Sequence, residues 1–343
     1  MQNFRLVGEE RTPKISLVLP IYNEIEVLPF LVPRIRALLD GIKGGAEAIF
    51  IDDGSSDGSV SLLRDALQVE PRFRLIELSR NFGHQIAITA GMDAADGEAV
   101  VVMDSDLQDP PELVHQLIEK WEEGFEIVYA RRIRRHGESW FKRATARAFY
   151  RMLGMLTTVD VPADVGDFRL VGRKALTTFK AMPERDRFVR GMFSWMGFRQ
   201  TAVDFERPSR SLGETKYPFR KMLRLASHAV TSFSDKPLRF ALWSGLAISA
   251  IACIVGSLTI VAWSMDLDVV PGWTSIVVIV SFLSGFNLMM TGIVGLYVGG
   301  IYAEVKRRPL YVIDRLTGFD HAVRRVAVEP PADAIEQPER RIG

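Results

Sequence analysis

Ala99-Val-Val-Val-Met103 runs directly into Asp104-Ser-Asp106 and then into Leu107-Gln-Asp-Pro-Pro-Glu112. The apolar run has the composition of a strand buried on both faces, as in parallel sheets. Two carboxylates one residue apart at the tip of such a strand form a hard oxygen site for a divalent cation, and such a cation can hold a diphosphate. An Asp-x-Asp alone also fits an ordinary acidic turn. A second strand–turn of the same kind tips the balance: Ala48-Ile-Phe-Ile51 leads into Asp52-Asp-Gly-Ser-Ser-Asp-Gly-Ser59. Two acidic strand tips in one half-chain point to a nucleotide-diphosphate site.

Outward from these two turns, strand-like and helical runs alternate. Lys14–Pro20 reads as a first strand, Glu26–Leu39 as a helix, and Ala48–Ile51 as the next strand. A helix follows from Ser59 to Leu67, then a strand at Arg74–Leu78 and a helix at His84–Ala95. Glu98–Met103, the helix Pro111–Glu123 and the strand Glu126–Ala130 complete the series. Proline in the first turn of a helix loses no hydrogen bond. Alternation at this spacing predicts an α/β fold with a mostly parallel sheet and flanking crossover helices. Ligands of such sheets bind beyond the carboxyl ends of the strands, where Pro20–Glu24, Asp52–Asp57 and Asp104–Asp109 all fall.

The remainder of the chain has a different composition. In 343 residues, 43 Lys and Arg stand against 42 Asp and Glu, a balance that argues against a general nucleic-acid binder. The balance is uneven along the chain. From Phe240 to Ala303 there is no Lys or Arg, and Asp266 and Asp268 carry the charge. Phe240–Met265 and Trp273–Ala303 each exceed the roughly 20 residues that cross a bilayer, and Asp266-Leu-Asp-Val-Val-Pro-Gly272 separates them. This pattern predicts a two-helix transmembrane hairpin. Basic residues flank its outer ends (Lys236 and Arg239 before; Lys306, Arg307 and Arg308 after), and Trp263 and Trp273 bracket the loop. The positive-inside rule then places both termini in the cytoplasm. Met1–Lys14 lacks the apolar core of a signal peptide. Cys253 is the single cysteine, so there is no disulfide framework.

Four motifs together resemble family 2 glycosyltransferases: Leu19-Pro-Ile-Tyr-Asn-Glu24, Asp52-Asp-Gly-Ser-Ser-Asp-Gly58, Asn81-Phe-Gly-His84 and Asp104-Ser-Asp-Leu-Gln-Asp-Pro-Pro111. Within that family the chain is similar to the dolichol-phosphate-mannose-synthase-like enzymes. The paired spans narrow the resemblance to bacterial polyprenyl-phosphate glycosyltransferases of the GtrB type. Gly166-Asp-Phe-Arg-Leu170, Arg187-Phe-Val-Arg-Gly191 and Gly213-Glu-Thr-Lys-Tyr217 resemble the same group. The resemblance covers about residues 14–310 and implies a GT-A-like domain over 1–210. A loop and interfacial helix would occupy 211–239, the two spans 240–303 and a cytoplasmic tail 304–343. The composition of the tail after about His321 suggests disorder.

The resemblance implies a nucleotide-sugar donor, with Pro20, Tyr22, Asn23, Glu24 and Asp53, and Asp104 beside them, forming its nucleotide site. It also implies that Asp104, Asp106 and Gln108 hold Mg²⁺ or Mn²⁺, that Asp106 serves catalysis, and that Asp167 is the candidate base. A phosphate acceptor is already largely dianionic at neutral pH, so Asp167 is equally read as orienting a sugar hydroxyl or holding Arg169. The acceptor would be a membrane-embedded polyprenyl phosphate, and the product inverted. Cations for its headgroup stand in the cluster containing Arg131 and Arg143, and in the loop bearing Arg207, Arg210 and Lys216, since guanidinium forks match phosphate oxygens. Trp140–Leu153 and Tyr217–Phe233 read as basic amphipathic helices suited to a membrane interface or to packing on the sheet. His84 is read as a helix cap or a diphosphate contact.

The expected activity is transfer of one sugar, UDP-glucose favoured, onto undecaprenyl phosphate at the cell membrane. GDP-mannose as donor and a non-enzymatic scaffold or flippase partner are the alternatives. A processive synthase is disfavoured by the missing Gln-x-x-Arg-Trp motif. A tetramer is compatible with a two-span anchor.

Overall fold

The computed structural model describes residues 13–132, 165–185, 187–205, 236–265 and 272–319. The first half follows the alternation of the sequence: β1 (Ile15–Ile21), α1 (Leu28–Gly41), β2 (Ala46–Asp52), α2 (Ser59–Val69), β3 (Phe73–Leu78), α3 (His84–Ala94) and β4 (Ala99–Val102). A 3-10 turn at Pro111–Leu113 then leads into α4 (Val114–Glu122) and β5 (Ile127–Arg132). After the gap come β6 (Val165–Gly172), α5 (Arg173–Ala181), α6 (Val189–Trp195) and β7 (Gln200–Phe205). Two long helices follow, α7 (Lys236–Ser264) and α8 (Trp273–Val305), and the chain returns as β8 (Ile313–Thr317).

The eight strands among the described residues form one sheet in the order β7-β5-β6-β4-β1-β2-β3-β8. The expected parallel core is there: β1 pairs in parallel with β2 and β4, β2 with β3, and β5 with β7. β6 runs antiparallel between β4 and β5, and β8 runs antiparallel along β3. Strand periodicity divides the apolar residues between two cores. Leu17, Leu19 and Phe50 face α1 and α4, while Val18, Ile49 and Ile51 face α3 and α5. Both faces are covered, which is why these strands read as continuous apolar runs.

The sequence marks neither β6 nor β8 as a strand. In β6, Asp167 and Arg169 interrupt the apolar run yet are buried, because Asp167 is met by His84, Gln85 and Arg190 from other elements and Arg169 donates to the Gly166 carbonyl. β8 lies in the stretch expected as a tail beyond the spans; instead it completes the sheet edge.

The positions of the expected spans are helical. Val278–Val305 within α8 is long and apolar enough to cross a membrane, and none of it is buried against the rest of the chain. Serine and glycine interrupt α7, but its surface residues Leu246, Ile251, Ile254, Leu258 and Val261 are exposed apolar groups. The amphipathic stretches 140–153 and 217–233, and the tail after 320, lie outside the described residues.

Candidate active site

β1 has β2 on one side and β4 on the other, so the connections leave its carboxyl end in opposite directions and open a crevice there. Register aligns the three strand tips. Ile21 pairs with Asp52, and the Met103 amide donates to the Val18 carbonyl at 3.1 Å, so Asp104 emerges beside Leu19 and Pro20.

The turns at these tips are stitched together. Asn23, at φ 55°, accepts at Oδ1 from the Ser56 amide (2.8 Å), and its own amide donates to Ser55 Oγ (2.9 Å). The Glu24 amide donates to Ser59 Oγ and the Ile25 amide to Asp57 Oδ2, both at 3.0 Å. Asp52 receives the Gly54 and Ser55 amides, an Asx-type turn. Asp53 receives the Phe82 amide at 2.7 Å and the Gly83 amide at 2.9 Å, which ties the loop before α3 to the tip of β2. Burial raises the pKa of Asp53, and these two amides offset part of that rise.

The result is an open cleft of about 360 Å³ lined by Pro20, Ile21, Tyr22, Glu24, Asp53, Asn81, Gly83, His84, Ala87, Asp104, Ser105 and Asp106. That volume lies in the range of small-molecule sites. Six residues expected from the sequence thus meet in one place: Pro20, Tyr22, Glu24, Asp53, Asp104 and Asp106. Tyr22 is half exposed at the rim, free to present its ring to a planar base. Asn23 and Gln108 are outside the lining. Asn23 is occupied in holding the neighbouring turn, while Gln108 is buried and donates its backbone amide to Asp106 Oδ1 at 3.1 Å.

Asp104 lies at the floor of the cleft. Burial raises its pKa, Asp167 and Asp106 add to the rise, and His84 opposes it. Its Oδ1 is buried and accepts no hydrogen bond among the described residues, although His84 Nε2 is 3.4 Å away. A buried carboxylate oxygen without a donor, next to a second carboxylate on Asp106, fits a hard divalent cation. Among the described residues no group of three His, Cys, Asp or Glu side chains converges on a cation position. A cation here would complete its sphere with diphosphate oxygens and water, as expected for Mg²⁺, which is usually bound by one or two carboxylates plus substrate phosphates.

Behind His84 lies a denser cluster. Its Nε2 is 3.2 Å from Asp167 Oδ2. Asp167 also takes Gln85 Nε2 at 3.0 Å and a fork from Arg190, whose Nε reaches Oδ1 at 2.9 Å and Nη2 reaches Oδ2 at 3.2 Å. Burial alone would raise the Asp167 pKa. The His84 hydrogen bond and the charges of Arg190 and Arg169 more than reverse this and hold the carboxyl well below the usual range. For His84, burial lowers the pKa, but the hydrogen bond to Asp167 and the charges of Asp104 and Asp167 outweigh it, so the net shift is upward. Asp167 is therefore a fixed anion. His84, the first residue of α3, makes no capping bond there and instead bridges the two acidic positions.

Arg190, which holds Asp167, is the member of this cluster that sequence reasoning did not single out. Its signal was its place in Arg187-Phe-Val-Arg-Gly191, but its partner Asp167 is on a different element. Arg131, expected at the acceptor phosphate, pairs with Asp204 across the β5–β7 ladder at 2.6 and 2.9 Å and is not among the residues lining this cleft. Arg143, Arg207, Arg210 and Lys216 lie outside the described residues.

Comparison with known proteins agrees with this geometry. The family described as "Glycosyl transferase family 2" matches residues 16–179. The "Uncharacterized glycosyltransferase YkcC" of Bacillus subtilis (strain 168) is 46% identical over 306 residues, covering 89% of this chain and 95% of that protein. The "Prophage bactoprenol glucosyl transferase homolog" of Escherichia coli (strain K12) is 37% identical over 303 residues, covering 88% of this chain and 99% of that protein. Among solved structures, the mannosyltransferase PcManGT from Pyrobaculum calidifontis in complex with GDP-Man and Mn²⁺ covers 87% of this chain and 89% of that one. Its TM-score is 0.42 and its identity 16%, a likeness too loose to carry an argument.

Proposed function

The chain belongs to glycosyl transferase family 2, and on that premise we propose that it transfers one sugar from a nucleotide-diphosphate sugar to a polyprenyl phosphate at a membrane. The observation that carries this reading is the presence in one chain of a strand-tip cleft lined by Asp53, Asp104 and Asp106 and of an exposed apolar helix. Relatives named bactoprenol glucosyl transferase support a glucosyl donor, UDP-glucose, and undecaprenyl phosphate as acceptor.

In this reading Tyr22 stacks on the base, and Pro20 and Glu24 shape the nucleoside end of the cleft. Asp53 contributes by fixing the Asn81–Gly83 loop. Asp104 and Asp106 hold a divalent cation, Mg²⁺ or Mn²⁺, which when bound would neutralise charge on the departing nucleoside diphosphate. Asp167 keeps His84 and Arg190 in place, and His84 lines the cleft where the diphosphate would sit. The acceptor needs no strong base, because a phosphate monoester with a second pKa of about 6 is largely dianionic at neutral pH. Attack by its oxygen on the anomeric carbon, opposite the leaving diphosphate, inverts configuration.

Membrane attachment through a two-span hairpin draws support from the sheet. β8 follows α8 and pairs with β3, which precedes α7. This pairing supports both ends of the helix pair lying on one side of the bilayer, and with it a reading in which both helices cross. α8 has the length and composition to cross. Lys236, Arg239, Lys306, Arg307 and Arg308 at the outer ends support a cytoplasmic position for that side in this reading.

The test is a donor screen on the full chain in nanodiscs containing undecaprenyl phosphate, with lipid-linked product read by mass. UDP-glucose with Mg²⁺ or Mn²⁺ should give a hexosyl lipid, and chelation should abolish it. Absence of lipid-linked product with every donor and metal would remove the proposal.

A further inference from the structure

The segment after α8 makes contacts that the proposed chemistry does not use. Glu304, in the last turn of α8, accepts at Oε1 from the Arg185 amide at 2.8 Å. Arg185 sits in the loop between α5 and α6. Seven residues later Tyr311 Oη donates to Asp93 Oδ2 at 3.0 Å, near the end of α3. Between these pins runs Lys306-Arg-Arg-Pro-Leu310, with Lys306, Arg307 and Arg308 exposed and Arg307 at φ 47°. The chain is then fixed to the sheet by the Ser79 amide, which donates to the Val312 carbonyl at 2.9 Å, and by β8.

One pin lands on α3 and the other on the loop that leads into α6. α3 starts at His84 and α6 carries Arg190. The two elements are joined at the cleft, since Gln85 accepts from the Val189 amide at 3.3 Å while donating to Asp167. They are joined again at the pinned end. Arg187 donates to the Met182 and Glu184 carbonyls, which sets the loop, and its charge lies close enough to act on Asp93. An α-helix rises 1.5 Å per residue, so the Asp93 pin stands about 13 Å from His84 along one rigid rod.

We infer that Glu304 and Tyr311 are positioning residues: they pin the cytoplasmic exit of α8 to α3 and to the α5–α6 loop, and so fix the height and tilt of the cleft over the bilayer. This rests on the membrane-acceptor reading above. The exposed basic run between the pins lies where anionic headgroups gather, so it marks the bilayer level from which the cleft is measured. A phosphate on a membrane-embedded chain reaches the cleft at one height, whereas a phosphate on a soluble chain needs no such alignment.

The experiment compares wild type with Glu304→Ala, Tyr311→Phe and the double variant, in nanodiscs, on two acceptors. One is undecaprenyl phosphate in the bilayer, and the other is a short, water-soluble prenyl phosphate. The double variant should lose at least tenfold in kcat/KM for the bilayer acceptor. The donor KM and kcat/KM for the soluble acceptor should stay within twofold. Glu304→Gln keeps the accepting oxygen and should restore near wild-type behaviour. An equal fall on both acceptors, or no fall on either, overturns the inference. Spin-label distances between positions 69 and 242 in a Cys253→Ser background give a readout free of activity. The distribution should broaden in the double variant, and an unchanged width also overturns the inference. If wild type glycosylates neither acceptor, the functional reading fails while the distance measurement still decides the strut.

Discussion

Asp167 shows how one buried carboxylate gains a role from its neighbours. A general base must give up its charge to a proton during turnover. Here Arg190, Arg169 and His84 all favour the charged form, which makes the carboxylate a weak base and a strong anchor. The sign follows directly. A carboxyl whose folded pKa is depressed contributes stability at every pH above its unfolded value, near ~4, and loses that contribution as pH falls through the folded pKa. Asp167→Asn should therefore destabilise the domain at neutral pH by about 3 kcal/mol, the scale of breaking a buried ion pair. The deficit should shrink in denaturant titrations run below pH 4. The acid limb of kcat/KM should stay where the acceptor phosphate sets it, near ~6. A limb present in wild type and absent in Asp167→Asn would instead identify Asp167 as the base. Asp104 behaves differently, since burial works against its charge and no donor among the described residues satisfies Oδ1. Asp104→Asn should weaken metal-dependent donor binding at least tenfold in calorimetry, while binding measured with chelator present changes little. Equal losses with and without metal would separate Asp104 from the cation.

At the scale of elements, the cleft depends on two close approaches. A Cβ on Gly54 would stand 2.7 Å from the Arg80 carbonyl carbon and the Asn81 amide nitrogen, and Gly54 holds φ +77°. Neither neighbour can yield, because both are backbone. Gly54→Ala should cost about 2 kcal/mol from strain and displacement, and should loosen the Asn81–Gly83 loop that Asp53 holds. Chemical denaturation and donor KM report the two effects, and a variant as stable as wild type would contradict the packing. Gly91 is the second approach: its Cβ would lie 2.4 Å from Val18 Cγ1 and 2.6 Å from Ile51 Cδ1, so α3 presses directly on β1 and β2. Such elements differ in how plainly the sequence shows them. β1 to β4 are apolar on both faces and α1 to α3 fall between them, so alternation alone located this half of the sheet and the acidic tips it carries. β6 escaped because its buried charges are satisfied by partners far along the chain, which no local pattern encodes. β8, Ile-Asp-Arg-Leu-Thr, is a half-exposed edge strand whose polar residues face water, and its composition matches a loop. The same physics divides the site. The Asp104–Asp106 pair is local and legible, whereas the Arg190–Asp167 fork exists only after β6 and α6 have packed.

For the whole molecule, the return of the chain to the sheet links catalytic domain and helix pair more firmly than a tether would. β3 would be an edge strand without β8, with a row of unpaired backbone groups available for aggregation. β8 also brings Phe319, which lies beneath the Arg74 guanidinium at 5.3 Å and is buried in the core that α3 and α5 share. Removing this segment therefore uncovers an edge and opens a core, even though it follows both long helices and reads as a tail. A chain ending at Arg308 should express as an aggregating or less stable protein. Its unfolding midpoint in detergent should fall by several degrees, since a loss of 1 kcal/mol shifts Tm by about 2–4 °C at this size. The chain ending at Phe319, which keeps every described strand, is the matched reference. If ending at Arg308 left the midpoint and the solubility of the reference unchanged, β8 would be a passive addition to the sheet. The β8–β3 pairing would then no longer hold both helix ends to one side of the bilayer.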